Sequence, residues 1–541
     1  MGFVNRLTAS LVLQAKGKKI TVPAGNIKRF GVHLHPWGFE ATAVFWLVSQ
    51  ASESEDTLFD WFVADDLIEA SMSLDRTFDT VGEKAEPLKV RGFVEERSVL
   101  ERAFPELASG PVLHRRYAIR FRDPAAFAWS RHRPSTLLAN ASHGELIQAQ
   151  TPASIRLGRK WKKASKKHAM LALGLGQDPG GASFLDFVTW LGRRDGFALF
   201  FDPDQDSYTL DDTKPRQKPL SFPGDDVETV EIHFDPAPRH AITVLDGSAE
   251  AKTKEKKVAN PRGLQGVTQE LLLVPPIAQD VDDRVKAVRP SLDVPKPRLE
   301  IRFSRFPSIT LRSMGLYDFS DDFSQRLFPA RKKYRLLHLH IEAEAERQAA
   351  TDDSDDDTNS FVLDLSADFE ESADPRLAHR EIVEPTWPFV VEGKLVSDVG
   401  AKDEGTFQAY TDPKVKVEHH QVFVPLWSKK IPVPFHPNLT PGHFYFPPYK
   451  DARVLLALSF EEAEIARFLD WRPGARLPKE SQGNHILFGK KAKDETSVRH
   501  TYVDSKPTLT VERTSSRDHQ TIVVSEGTIL LRTEETKDQK K

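Results

Sequence analysis

Residues 183–210 read SFLDFVTWLGRRDGFALFFDPDQDSYTL. Ser183 stands where a helix N-cap needs a side-chain acceptor, and Asp186, three residues on, can complete a capping box. Phe184, Leu185, Phe187, Val188 and Leu191 then fall on one helical stripe. Arg193 and Arg194 suit the negative end of the helix dipole, and Gly196 closes it. The run FALFFD enters a strand at once, and DPDQDSYTL returns as a hairpin. The spacing predicts a compact helix–hairpin, the clearest helix in the chain.

Outward from it, the sequence is strand-like in both directions. Toward the N-terminus lie LTASLVLQ (7–14), KKITV (18–22), ATAVFWLVS (41–49), LKVRGFVEERSVL (88–100) and RRYAIRFRD (115–123). Each alternates or runs apolar over strand length, with turn residues between. RLGRKWKKASKKH (156–168) is a basic run, read as a solvated connector or as a strip facing an acidic partner or nucleic acid. Toward the C-terminus, LEIRFSRFPSITL (299–311) and YRLLHLHIEAEAE (334–346) are stronger strands, and the second alternates as a one-side-wet strand does. TDDSDDDTNS (351–360) reads as the polar tip of its hairpin with SFVLDLS. It lacks the turn glycine and ligand spacing of a calcium loop.

The composition changes near Glu384-Pro385. PFVVEGKLVSDV, GTFQAYTD, VKVEHHQVFVPLW, KKIPVPF and ARVLLALSF are short, closely spaced strands with Gly and Pro turns, which suit a small barrel of the OB type. After residue 480 come SVRHTYV, PTLTVERT, QTIVVSE and GTILLRTEE, alternating strands joined by charged turns. Period two sets Leu509, Val511, Ile522, Val524, Ile529 and Leu531 on one face, against Thr510, Glu512, Thr521, Thr528 and Arg532 on the other. Val523 and Leu530 break the polar face and leave the register open by one residue. KDQKK reads as a soluble tail.

The 541 residues are 39% hydrophobic and 28% charged, with 75 basic against 79 acidic side chains and a net charge of −4. That balance suits several globular domains and gives no global signal for nucleic acid or an anionic membrane. The opening residues read as a strand rather than a signal peptide. Without cysteine the chain has no disulfide, thiolate metal site or cysteine nucleophile.

The search for chemistry finds little. There is no HExxH, GxSxG or P-loop. Gly180-Gly181 precedes a helix start but lacks a lysine after it. His33 and His35 share a strand face, as do His338 and His340, yet no third ligand stands at a fixed spacing. His419 and His420 point to opposite faces. HFYFPPY (443–449) reads as barrel core plus a turn, or as an aromatic platform for sugar or peptide. No catalytic, cofactor or metal residue is assigned.

Three passages together resemble the VgrG family of type VI secretion and phage baseplate hubs. Ser183, Asp186, Phe187, Leu191, Gly196, Phe200 and Phe201 match that family's helix–hairpin segment. RRYAIRFRDPAAFAWSRHRPSTLLANAS (115–142) resembles the passage before it. PGHFYFPPYKDARVLLALSF and QGNHILFG resemble the OB domain of the spike and its exit. The resemblance implies a mainly β chain with minor α. It implies a tandem barrel-like hub at 1–384, an OB-fold neck at 385–480, and a short intertwined trimeric β spike with its tail at 481–541. Its trimer core would be Leu509, Val511, Ile522, Val524, Ile529 and Leu531. It also implies a homotrimer that caps an inner-tube (Hcp-like) ring, carries a spike-tip (PAAR-like) protein or effector, docks on baseplate components, needs no cofactor and binds no nucleic acid. Such a protein assembles in the bacterial cytoplasm and is then secreted or injected, puncturing the target envelope without catalysing a reaction. The alternative is a multi-domain β adhesin or carbohydrate-binding tail protein.

Overall fold

The computed structural model describes all residues except 1, 51–55, 78–85, 105–111, 248–253, 274–278, 320–322, 325–331, 351–355, 402–405, 412–417, 435–448, 470–482, 492–493, 516–517 and 536–541. Half of the acidic tip (351–355), the HFYFPPY stretch up to residue 448 and the KDQKK tail therefore lie outside the described residues. The chain divides into two compact units. One comprises residues 1–135, 142–166 and 175–386, and the other 136–141, 167–174 and 387–541.

The first unit is built on eight strands: β1 (Phe3–Ala15), β2 (Ile27–His35), β3 (Gly38–Gln50), β4 (Glu69–Arg76), β5 (Leu88–Phe104), β6 (Val112–Arg122), β7 (Tyr334–Ala345) and β8 (Thr358–Glu371). They pair antiparallel in the order β7–β2–β3–β6–β5–β4–β1–β8, and β8 pairs back to β7. The ring is a closed barrel, which leaves no open edge along these pairings. Alternation fills its interior: Leu7, Leu11, Leu13, Phe30, Val32, Phe45, Met72, Tyr117 and Phe361 are buried. Each such side chain contributes roughly 1.5–3 kcal/mol.

β7 and β8 are longer than the barrel needs, and their far ends carry a second half of the same sheet. Leu316–Phe319 pairs with the start of β7, Arg298–Phe303 with the end of β8, and Leu220–Phe222 and Val227–His233 extend the two sides. A register shift between Leu336 and His338 marks the passage of β7 from one half to the other, the usual work of a bulge. Phe222, Phe303, Tyr317, Phe319 and Phe369 fill this half with edge-on and stacked rings. This part of the first unit is thus one continuous sheet of thirteen strands, in which a barrel and a second half share the β7–β8 hairpin. The acidic tip is not wholly detached from it, because the carbonyls of Asp356 and Asp357 accept from Gly25 N and Ala9 N.

Helix α1 spans Phe184–Asp195. Ser183 Oγ accepts from Asp186 N at 3.3 Å, while Asp186 Oδ2 accepts from Ser183 N at 2.9 Å. Gly196 ends the helix at φ 80°, a left-handed conformation that strains any residue with a Cβ. The hairpin follows as Ala198–Asp202 and Ser207–Asp211, and part of the basic run, Leu157–Arg159, adds a parallel strand to it. Lys160, Lys162, Lys163, Lys166 and Lys167 are exposed.

A second grip on α1 comes from residues 378–380. Arg380 donates to Asp186 at 2.8 Å, and Arg193 donates to the Arg380 carbonyl at 2.6 Å. Between them, burial and then the Arg193 charge pull His379 from 6.5 down to about 4. A folded value below the unfolded one means that the unfolded chain takes up the proton first, so this site's stability is complete above about pH 6.5 and is lost toward pH 4. His379→Gln is expected to shrink the acid-induced stability loss of this unit by about 1–2 kcal/mol between about pH 7 and pH 5. Urea melts of both proteins at the two pH values check this; an unchanged loss refutes it.

In the second unit, Phe389–Val396, Tyr410–Thr411, Glu418–Val424, Lys429–Pro434, Arg453–Leu458 and Ala463–Phe468 form one antiparallel sheet. Its core of Leu395, Val422, Val424, Ile431, Val433, Val454, Leu456 and Leu458 also takes in Leu137, Met170 and Ala172. Those three come from a strand pair, Ser135–Ser142 with Lys167–Gly174, that lies far upstream in sequence. Ala172 N donates to the Phe460 carbonyl at 2.8 Å and fixes that pair to the sheet. Two stretches inside residues 1–384 therefore belong with the C-terminal unit.

Candidate assembly surface

The last five strands are β9 (Gly483–Lys491), β10 (Asp494–Val503), β11 (Lys506–Thr514), β12 (Asp518–Ser525) and β13 (Thr528–Glu535). They form an antiparallel meander in chain order. Tight turns make this possible. Asp504 and Ser505 both take positive φ between β10 and β11, which suits a two-residue hairpin, and Gly527 does so between β12 and β13.

Pairing turns the sequence alternation into a surface. Ile486, Val498, Val511, Ile522 and Leu531 stand directly opposite one another, one per strand, as a rung across the whole sheet. A second rung, two residues along, carries Leu509, Val524 and Ile529. All six residues singled out from sequence lie on this face. Ile486 and Val498 belong to it too and escaped the sequence reading, although HILFG and SVRH show the same alternation. The face is bare in the single chain: Ile529 and Leu531 are 71% and 72% exposed. A contiguous exposed apolar patch of this kind marks an interaction surface.

The opposite face is polar. Glu512 accepts from Arg499 and lies 2.5 Å from His519 Nε2, with Thr510, Thr521 and Arg532 on the same side. Val523 and Leu530 interrupt it and face each other across β12 and β13. The two faces thus differ: Thr510, Glu512, Thr521 and Arg532 lie on one, and the aliphatic rungs on the other, flanked there by the polar rung Arg513–Gln520–Thr533.

The histidines singled out from sequence also come together. His33 faces His340 across β2 and β7, their rings 4.1 Å apart. His35 Nδ1 lies 3.0 Å from His338 Nδ1, and Trp37 stacks on His35. A residue the sequence reading passed over completes the group: Glu342 Oε1 is 3.3 Å from His33 Nε2. His420 is buried in the other unit.

No protein-family model matches the chain, and no curated protein matches its sequence. Solved structures do match in fold. A chain of a lidless PdpA–VgrG complex superposes with a TM-score of 0.74 over 99% of this chain and 100% of that one, at 11% identity. A chain of the half-lidded Francisella complex does so at the same score and identity, covering 99% of this chain and 89% of that one. A chain of the lidded Francisella complex gives 0.74 at 11% identity, with 98% and 80% covered. The chain thus has a VgrG-like, mainly β fold along its whole length.

Proposed function

We propose that this chain is the hub-and-spike structural component of a contractile injection machine of the type VI secretion kind, acting as a homotrimer. One observation carries the proposal: a rung of five aliphatic side chains crosses the last sheet, with Ile486, Ile522 and Leu531 exposed and Val498 and Val511 half-buried. Three such sheets around an axis would bury their apolar faces together and give their open edges partners. The fold shared with chains of PdpA–VgrG complexes supports the same reading. In it, residues 1–384 supply the hub, except for the strand pair at 135–142 and 167–174, which joins the OB-type neck of residues 385–480, and 481–541 supply the spike. The trimer would cap an inner-tube ring, carry a tip protein or effector, assemble in the cytoplasm and leave the cell by injection.

The test is the mass of the purified full chain by light scattering at micromolar concentration. The expected value is three chains. A monomer overturns the proposal. A dimer does as well, since two apolar sheets packed face to face bury the same rung without a spike.

A further inference from the structure

β2 and β7 bring two imidazoles and a carboxylate to one spot on the barrel, and the pairing register explains how. Opposite Glu342 stands Gly31. A Cβ at Gly31 would lie 2.6 Å from Glu342 Oε1, inside any allowed contact. The missing side chain is what lets the carboxylate fold across the neighbouring strand instead of standing off it. From there it reaches His33, whose Nε2 is 3.3 Å away. His340, directly opposite His33, completes the group, and one ligand atom from each of His33, His340 and Glu342 lies within 4.8 Å of the others.

We propose that His33, His340 and Glu342 bind a divalent metal ion of the zinc class, clamping β2 to the long β7 strand that serves both halves of the sheet. Two imidazoles and one carboxylate are a donor set for zinc and its first-row neighbours, with a position left for water. Bonds of about 2.0–2.1 Å in a tetrahedron place ligand atoms roughly 3.3–3.4 Å apart. The His33–Glu342 separation already meets that spacing, and a rotation of the His340 ring brings in the third atom. All three side chains are partly exposed, so the ion has a way in. The adjacent His35–His338 pair is not part of the site, because their Nδ1 atoms are engaged with each other.

The full chain, stripped of metal, is titrated with zinc chloride by calorimetry, and its thermal midpoint is read with and without zinc. Saturable, stoichiometric binding and a raised midpoint are expected. Glu342→Gln and His33→Gln should weaken binding at least as much as the roughly 10–100-fold that loss of an outer-sphere partner costs. Gly31→Ala should weaken it as well while removing no ligand, and His338→Gln should leave it within about twofold of the parent. Circular dichroism confirms that each variant is folded; Glu342→Gln, nearly isosteric and partly exposed, keeps the test open if Gly31→Ala is not. No saturable binding by the parent overturns the proposal. So does parent-like binding by Glu342→Gln, or loss in His338→Gln as great as in His33→Gln.

Discussion

Ile529→Asp is expected to leave the chain unable to form the proposed trimer, while the barrel unit keeps its own unfolding transition. Ile529 ends the rung Leu509–Val524–Ile529 and is almost fully exposed in the single chain, so its side chain is available to a partner. In a three-fold assembly three copies approach one axis. Losing their burial costs about 1.5–3 kcal/mol per chain, or about 5–9 kcal/mol per trimer. The substitution also puts three carboxylates together in a dry core, where they cannot all stay ionised. Thr528→Asp places the same charge one residue away on the opposite face and is expected to leave the mass unchanged. Light scattering of both variants, with heat resistance on gels, reads the outcome. A trimeric Ile529→Asp beside an equally trimeric Thr528→Asp ends the spike assignment. A damaged Thr528→Asp with an intact Ile529→Asp means that the polar face turns inward.

How much of this is legible in the sequence depends on the range of the interaction involved. The helix at 184–195 is legible because its signals are local: Ser183 and Asp186 cap each other across three residues, and Gly196 ends it by its own backbone freedom. Three strands of the apolar rung are legible for the same reason, since period two is a property of each strand alone. The closure of the barrel is not legible. β1 pairs with β8 from the other end of the first unit, and no local pattern encodes a contact across some 350 residues. The strand pair at 135–142 and 167–174 hides similarly, because its apolar residues belong to a sheet that begins at residue 389.

The histidine ladder lies between these cases. Alternation in YRLLHLHIEAEAE puts His338, His340 and Glu342 on one face, so the carboxylate could have been found as the third member of H-x-H-x-E. What alternation cannot supply is the register that sets His33 against His340 and a glycine against Glu342. A pattern read along one strand gives candidates, and only the pairing across strands turns them into a site. The apolar rung obeys the same rule: β11, β12 and β13 each offer two aliphatic residues and β9 and β10 one each, and register makes them a surface.

Register also exposes a buried carboxylate that no motif announced, and its removal is expected to be the most damaging single change in the barrel unit. Asp123 is 2% exposed. Its Oδ1 accepts from Ala126 N at 2.9 Å and from the Tyr208 hydroxyl at 2.5 Å, and its Oδ2 accepts from Phe39 N at 3.1 Å. One side chain thus caps the helix Pro124–Trp129, fastens the start of β3 and holds the hairpin that follows α1. Burial drives its pKa up against the pull of those donors, led by Tyr208. Asp123→Ala leaves three donors unsatisfied, each worth about 1–3 kcal/mol, and the combined loss of barrel-unit stability is expected at about 3–5 kcal/mol. Asp123→Asn keeps an acceptor oxygen and should recover roughly half of that. Tyr208→Phe removes one donor and should cost about 1–2 kcal/mol, and less once Asp123 is already alanine, because the two share one bond. Urea melts of the parent, the three single variants and the Asp123→Ala/Tyr208→Phe double variant give these values directly. A loss below about 1 kcal/mol for Asp123→Ala, or full additivity with Tyr208→Phe, would show that the carboxylate does not join these elements.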